Sequence, residues 1–472
     1  MKTYSMIING EEVGLNLSTI EVINPSTGQP IATVPKGGAH EAEKAVDAAF
    51  AAFEPWAELT VYDRSAYLMK WHQLIAEQTE ELATVMTEEQ GKPLSEARGE
   101  IDYANGFISF YAEEAKRIYG ETIPSSNRDK RIIIHKQPVG VTAVITPWNF
   151  PAAMITRKVG PALAAGCTVV IKPAGQTPLT AIKLVQLAKQ AGIPDGVINV
   201  VTGKSGEIGD SWLEDSRVRK LTFTGSTEVG KLLMRGAADT VKKISLELGG
   251  HAPAIVMDDA DIDKAVKGVL AAKFRNAGQT CVCANRIYVH ESVVNEFSEK
   301  FVESVKELKI GDGKGEGVTI GPLIDNAAIE KVQSHVDDAT EKGATVAIGG
   351  RTLTGLFYEP TVLVNVTDDM KCMTEETFGP VAPITTFKTE DEVLHRANDS
   401  IYGLAAYLFT ENLSTGIRMS EKLEYGIVGL NDGKPSTPQA PFGGFKQSGL
   451  GREGGHHGID EYIEVKYISV GL

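Results

Sequence analysis

From residue 140 to residue 236 the chain alternates short apolar runs with helix-period segments, and each apolar run stops at a turn of polar or small residues. The run 140–145 stops at Thr146-Pro147-Trp148-Asn149. The run 168–171 stops at Lys172-Pro173, and a helical stretch at 180–191 leads to a strand-like 197–201. The run 221–224 stops at Gly225-Ser226, before a helix predicted over 227–236. Strand and helix alternating at this spacing predict a parallel sheet with helices on both faces. A second series begins near Lys243. It has strands at 252–256 and 286–289, helices at 262–275, 293–308 and 330–342, and strand-like runs at 345–348, 361–366 and 382–387. Ahead of both, helical periodicity covers 42–53, 64–90 and 95–117, and 131–137 reads as a strand. The stretch 461–470 alternates like an edge strand that pairs elsewhere. The fold class is therefore α/β: two open parallel-sheet domains with a small β appendage.

A chain of 472 residues has room for two or three such domains. Asp and Glu outnumber Lys and Arg by 62 to 47, a net charge of −15. That field repels nucleic acid and anionic membranes, so neither is expected as a partner, and an anionic substrate would need a local basic pocket. No stretch approaches the roughly 20 apolar residues of a membrane span. The four cysteines, Cys167, Cys281, Cys283 and Cys372, match no zinc spacing and are too few for a disulfide framework. With no apolar leader in the first ten residues, a reducing, cytoplasmic location and no metal are expected.

Chemistry concentrates at a few positions. Gly278-Gln279-Thr280-Cys281-Val282-Cys283 sets a thiol after a glycine-containing turn and before an apolar run. Cysteine attacks carbonyls readily because part of it is thiolate near neutral pH. Glu247, between two leucines and ahead of Gly249-Gly250, reads as a partly desolvated acid suited to general base work, or else as a solvated strand-end glutamate. Asn149 can donate an amide to a developing oxyanion, or make an Asx turn. Lys172 closes a strand, where α/β folds place ligand groups. Gly225-Ser226, before a helix, suits a pyrophosphate, although Ser226 serves equally as an ordinary N-cap.

The pieces in combination are more specific than any one of them. The chain resembles the aldehyde dehydrogenase superfamily along essentially its whole length. The resemblance is carried by Thr146-Pro147-Trp148-Asn149-Phe150-Pro151, Lys172-Pro173-Ala174, Phe223-Thr224-Gly225-Ser226, Leu246-Glu247-Leu248-Gly249-Gly250, Gly278-Gln279-Thr280-Cys281 and Glu376-Thr377-Phe378-Gly379-Pro380, in the family's order. The run 278–285, with Pro441-Phe442-Gly443-Gly444 and Gly451-Arg452-Glu453-Gly454, is most similar to succinate-semialdehyde dehydrogenases. The resemblance implies Cys281 as nucleophile, Asn149 and the Cys281 N–H as oxyanion donors, and Glu247 as the base that activates water. It implies cofactor contacts at Trp148, Lys172, Gly225, Ser226, Glu376 and Phe378. It also implies a Rossmann-like cofactor domain (1–114 and 132–244), a catalytic domain (245–440) and a β-ribbon oligomerisation element (115–131 and 455–472), hence a homodimer or homotetramer.

Position 175 departs from the family pattern. NAD-preferring members carry Glu there, whereas this chain has Gly175, with no carboxylate for NAD and no charge against NADP. NADP is therefore expected as cofactor, with NAD also used. Arg157, Arg275 and Ser436 match positions that bind the tail carboxylate of a semialdehyde. Helix-end and ion-pair roles are the alternatives for the two arginines. Cys283 reads as a small packing residue or as a partner for Cys281 in an oxidative switch. The rival readings are glutarate semialdehyde or another small aldehyde as substrate, and a noncatalytic binding or structural protein on the same fold.

Overall fold

A computed structural model describes residues 2–472. Its first sheet has eight strands, in the spatial order Gly449–Leu450, Lys243–Glu247, Val218–Thr224, Val141–Ile145, Thr168–Lys172, Ile198–Val200, Met6–Ile8, Glu11–Val13. The five strands from Lys243–Glu247 to Ile198–Val200 run parallel. The outer pairings are antiparallel. The apolar side chains divide by the strand period of two. Val144, Val169 and Ile171 enter one core, while Ala143, Val170 and Leu221 enter the core on the opposite face.

From Val141–Ile145 the chain builds outward through Thr168–Lys172 to Ile198–Val200, then returns to add Val218–Thr224 on the other side. That reversal opens a crevice at the carboxyl ends of Val141–Ile145 and Val218–Thr224, where open α/β sheets bind ligands. The turns at these ends are Thr146-Pro147-Trp148-Asn149 and Gly225-Ser226.

The second sheet has seven strands, in the order Thr345–Ile348, Thr361–Val364, Val381–Phe387, Ala284–His290, Ala252–Val256, Ala405–Phe409, Ile427–Leu430. All of its pairings are parallel except the first. It has its own core, which includes Phe297, Phe301 and Tyr407.

The third sheet pairs Ile463–Gly471 with Lys130–Pro138, from Ile463 opposite Pro138 to Gly471 opposite Lys130, and adds Glu121–Ile123. The alternating edge strand at the end of the sequence thus finds its partner more than 300 residues earlier.

Several sequence expectations need correction. Strand Lys130–Pro138 belongs to the small third sheet and not to the first domain, because its alternating exposure suits an antiparallel ribbon. The boundary expected at 244/245 cuts through strand Lys243–Glu247, which pairs along its full length with the first sheet, from Lys220 opposite Lys243 to Thr224 opposite Glu247. The helix expected at 64–90 is two helices, Val61–Glu77 and Thr79–Gln90. They break at Gln78 (φ −111°, ψ 20°), where Thr79 Oγ1 donates back to the Ala76 carbonyl at 3.0 Å.

Candidate active site

Cys281 owes its place to a left-handed turn. Helix Ile262–Phe274 ends, and Asn276, Ala277 and Gly278 follow with φ of 53°, 54° and 73°. Gly278 is required, since a Cβ there would lie 2.2 Å from the Gly379 carbonyl oxygen. Gln279 pins the turn: its N–H donates to the Asn276 carbonyl at 3.0 Å, and its Oε1 accepts from the Ile324 N–H at 3.0 Å. Thr280 closes it, its carbonyl accepting from the Cys283 N–H at 3.1 Å. The link between the two large sheets lies directly against this turn, for a Cβ on Gly250 would come within 2.0 Å of the Cys281 carbonyl oxygen.

The half-buried Cys281 borders two cavities. One, of about 350 Å³, is also lined by Trp148, Asn149, Gly225, Ser226, Glu376 and Phe378. The structure thus gathers six of the expected residues at the crevice between the first sheet's central strands. Trp148 and Phe378 meet edge to face at 5.6 Å. Phe378 takes a left-handed φ of 55°, a strain of roughly 1–3 kcal/mol held by its surroundings. Ser226 Oγ accepts from the Val229 N–H at 3.3 Å, so it caps helix Thr227–Ala238 as well as lining the cavity. Glu376 Oε1 accepts from the Gly250 N–H at 2.9 Å, and burial raises its carboxyl to about 7.

Lys172 and Gly175 do not line this cavity. Lys172 ends its strand, buried and with no carboxylate in salt-bridge range among the described residues, and burial lowers it to about 8. Gly175 follows in a loop, where a Cβ would meet nothing within 4 Å.

The other cavity, of about 600 Å³, brings together Arg157, Arg275 and Ser436. Lys92, Lys267 and Lys434 also line it, so five cations face two acids, Glu96 and Glu100. The two arginines differ. Arg157 is fully buried, its Nε ion-paired with Glu453 and its guanidinium 4.1 Å from the Phe442 ring centre, while Nη2 has no partner among the described residues. Arg275 has no carboxylate in salt-bridge range among the described residues and lies 5.3 Å from the Phe150 ring centre.

Asn149 is buried, and its Nδ2 donates to the Gln279 carbonyl at 3.0 Å. An amide nitrogen carries two protons, so one remains for a ligand. The Cys281 N–H has no acceptor among the described residues.

Glu247 ends its strand, as the second reading had it, but it is not solvated. It is 2% exposed, borders neither cavity, and neither carboxylate oxygen has a hydrogen-bond partner among the described residues. Burial, and then the nearby Glu453 carboxylate, push its pKa well above the ordinary range. Burial also raises the Cys281 thiol to about 12, only partly opposed by Arg157 and Arg275. The expected reactive thiolate is thus held as a thiol, awaiting a base.

Cys283 is fully buried away from both cavities. Its Sγ lies 3.3 Å from Lys273 Nζ and donates to the Lys273 carbonyl at 3.3 Å, and all four cysteines are free.

Sequence reasoning assigned no role to Glu453, which is paired with both Arg157 and Lys158. Its only signal was an acid inside the glycine run 449–455. Lys92 and Asn276, which both contact the Asn149 carbonyl, carried no signal.

Residues 14–468 match the aldehyde dehydrogenase family. A glutarate-semialdehyde dehydrogenase of Pseudomonas putida is 56% identical over 466 residues, covering 98% of this chain and 97% of its own length. The NADP(+) succinate-semialdehyde dehydrogenase of Escherichia coli is 56% identical over 469 residues, covering 99% of this chain and 97% of its own. The crystal structure of an Escherichia coli NADP-dependent enzyme superposes with a TM-score of 0.99 at 55% identity, covering 100% of this chain and 98% of the other.

Proposed function

The chain belongs to the aldehyde dehydrogenase family, and from that premise we propose that it oxidises a small aldehyde with a carboxylate tail, succinate semialdehyde first, using NADP or NAD. The observation that carries the proposal is the Cys281 thiol on the wall shared by two cavities, one lined by the expected cofactor residues and the other rich in cations.

The aldehyde lies in the larger cavity with its carboxylate against Arg275, Ser436 and the free Arg157 Nη2. Cys281 Sγ bonds to the carbonyl carbon and passes its proton to water in the cavity, and the carbonyl π electrons move to oxygen. The resulting oxyanion is held by the second Asn149 N–H and the Cys281 backbone N–H. Trp148, Gly225, Ser226, Glu376 and Phe378 would hold the cofactor, whose nicotinamide when bound takes the hydride. The acyl group is then a thioester on Cys281. Glu247 borders neither cavity in this structure, but no hydrogen bond among the described residues holds its carboxylate; turned toward Cys281 it takes a proton from the attacking water, and the departing Cys281 sulfur takes that proton back as the acid is released.

Gly175 leaves open space where a carboxylate would oppose a 2′-phosphate, and Lys172 supplies a nearby cation without an ion-pair partner among the described residues. Both features support use of NADP. The two relatives named above act by name on different semialdehydes at equal identity. One methylene changes pocket fit by only about 1–3 kcal/mol, so glutarate semialdehyde is the second reading. The third sheet exposes Val465 and Tyr467, at 66% and 60%, which supports a homo-oligomer built on that ribbon. The test is kcat/KM for both semialdehydes and an uncharged aldehyde with each cofactor. An NAD preference above roughly 100-fold, about 2.7 kcal/mol, removes the NADP assignment.

A further inference from the structure

Asn276 is strained and heavily bonded, yet the reaction as described leaves it idle. It sits at φ 53°, ψ 36°, a conformation that costs least for glycine and next for asparagine. Its backbone N–H donates to Glu96 at 2.8 Å. Its side-chain Nδ2 donates to two carbonyls, that of Asn149 at 3.0 Å and that of Gln279 at 3.2 Å. The Asn149 amide donates to the same Gln279 carbonyl. One amide therefore joins the turn at the end of the first sheet's central strand to the turn that carries Cys281. Lys92 completes the arrangement: its Nζ donates to the Asn149 carbonyl at 2.7 Å and is ion-paired with Glu100. Glu100 in turn accepts from the Ala152 and Ala153 N–H groups at 2.9 and 3.2 Å.

We propose that Asn276 is a positioning residue, acting with Lys92 as a clamp that fixes the Asn149 amide relative to the Cys281 sulfur so that the second Asn149 N–H meets the oxyanion. The inference rests on the assignment of Cys281 as nucleophile and Asn149 as oxyanion donor. With one Asn149 proton tied to the Gln279 carbonyl, the direction of the other follows from the spacing of the two turns. Asn276 and Lys92 set that spacing. Misplacement by about 1 Å at such a site costs on the order of 100-fold in rate.

Asn276→Gly isolates the amide, because glycine keeps the left-handed backbone without strain. The expected result is a fall in kcat of about 10- to 100-fold. Aldehyde KM and NADP Kd should move less than about threefold, and Tm should stay within about 3 °C or rise. Lys92→Met, made with Glu100→Gln so that no carboxylate is left buried and unpaired, removes the other donor to the Asn149 carbonyl and should show the same split between kcat and KM. It decides the matter if the glycine variant does not fold. A fall in Tm with kcat unchanged in both variants would mean that the clamp is merely structural, which overturns the proposal. Cys281→Ser and Asn149→Ala serve as controls. If they are inactive while Asn276→Gly and Lys92→Met with Glu100→Gln turn over fully, the clamp alone is wrong. If they retain wild-type kcat, the reaction assignment fails and takes the clamp with it.

Discussion

Replacing Arg275 with alanine tests which of the two arginines reads the substrate's tail. Arg275 faces the 600 Å³ cavity with no carboxylate in salt-bridge range among the described residues, so its charge is available to a ligand. A carboxylate at about 4 Å gains roughly 4 kcal/mol at an effective dielectric near 20. The cavity is open to water, which pulls the net value toward the 1.5–3 kcal/mol typical of a charged hydrogen bond. Taking about 2–3 kcal/mol, kcat/KM for succinate semialdehyde should fall roughly 30- to 150-fold. Butyraldehyde has the same carbon count and no carboxylate, and its kcat/KM should change less than about threefold. The assay is steady-state NADPH formation at 340 nm with both aldehydes. Arg157→Ala makes the contrast, because it leaves Glu453 buried with Lys158 alone and should damage both substrates and stability together. Equal loss on the two aldehydes for Arg275→Ala would refute the tail-binding assignment.

Three further outcomes follow from the same geometry. Gly175→Glu places a carboxylate in open space and should shift the NADP-to-NAD ratio of kcat/KM toward NAD by at least about tenfold, with an unchanged ratio as the contrary result. Glu247→Gln should cost about 10²- to 10⁴-fold in kcat, and it also carries a stability signature. The folded pKa of Glu247 is raised, so its contribution is fully present below the ordinary carboxyl range and is lost as pH rises through the folded value. The Tm of Glu247→Gln minus that of wild type should therefore grow with pH from about 5 upward, and a pH-independent difference would contradict the burial argument. Peroxide inactivation should oxidise Cys281 while Cys283, held against Lys273, stays a thiol. Recovery of a Cys281–Cys283 disulfide as the main product in peptide mass spectrometry would restore the oxidative switch.

What the sequence made legible was local. The runs ending at Ile145, Lys172 and Thr224 announce a parallel sheet because each is apolar and each is followed by a polar turn. The residues after them, Trp148, Asn149, Gly225 and Ser226, meet at one cavity for that reason. The strand Met6–Ile8 is only three residues long, too short to show strand alternation, although the Asn9-Gly10 turn after it is a hairpin signal. The strands Ala405–Phe409 and Ile427–Leu430 were missed because short apolar runs next to a helix carry no period of their own. The ionisation states of Cys281 and Glu247 were not legible at all. They depend on burial and on Glu453, Arg157 and Arg275, none of which is adjacent to either in sequence. Local sequence suggested a thiolate and a partly exposed acid, and desolvation reverses the first and deepens the second.

The Arg157–Glu453 contact joins residues 296 positions apart. During synthesis, at about 5–20 residues per second, roughly 15–60 seconds separate the emergence of the two cations Arg157 and Lys158 from that of their shared anion. In that interval helix Ala153–Ala165, wholly buried in the finished protein, carries two positive charges with no counterion. Burying both cations before Glu453 is available costs several kcal/mol per ion, which opposes early closure of this domain. The first sheet's domain is completed by an acid 296 positions further along, so nascent intermediates that lack Glu453 should remain open at this helix.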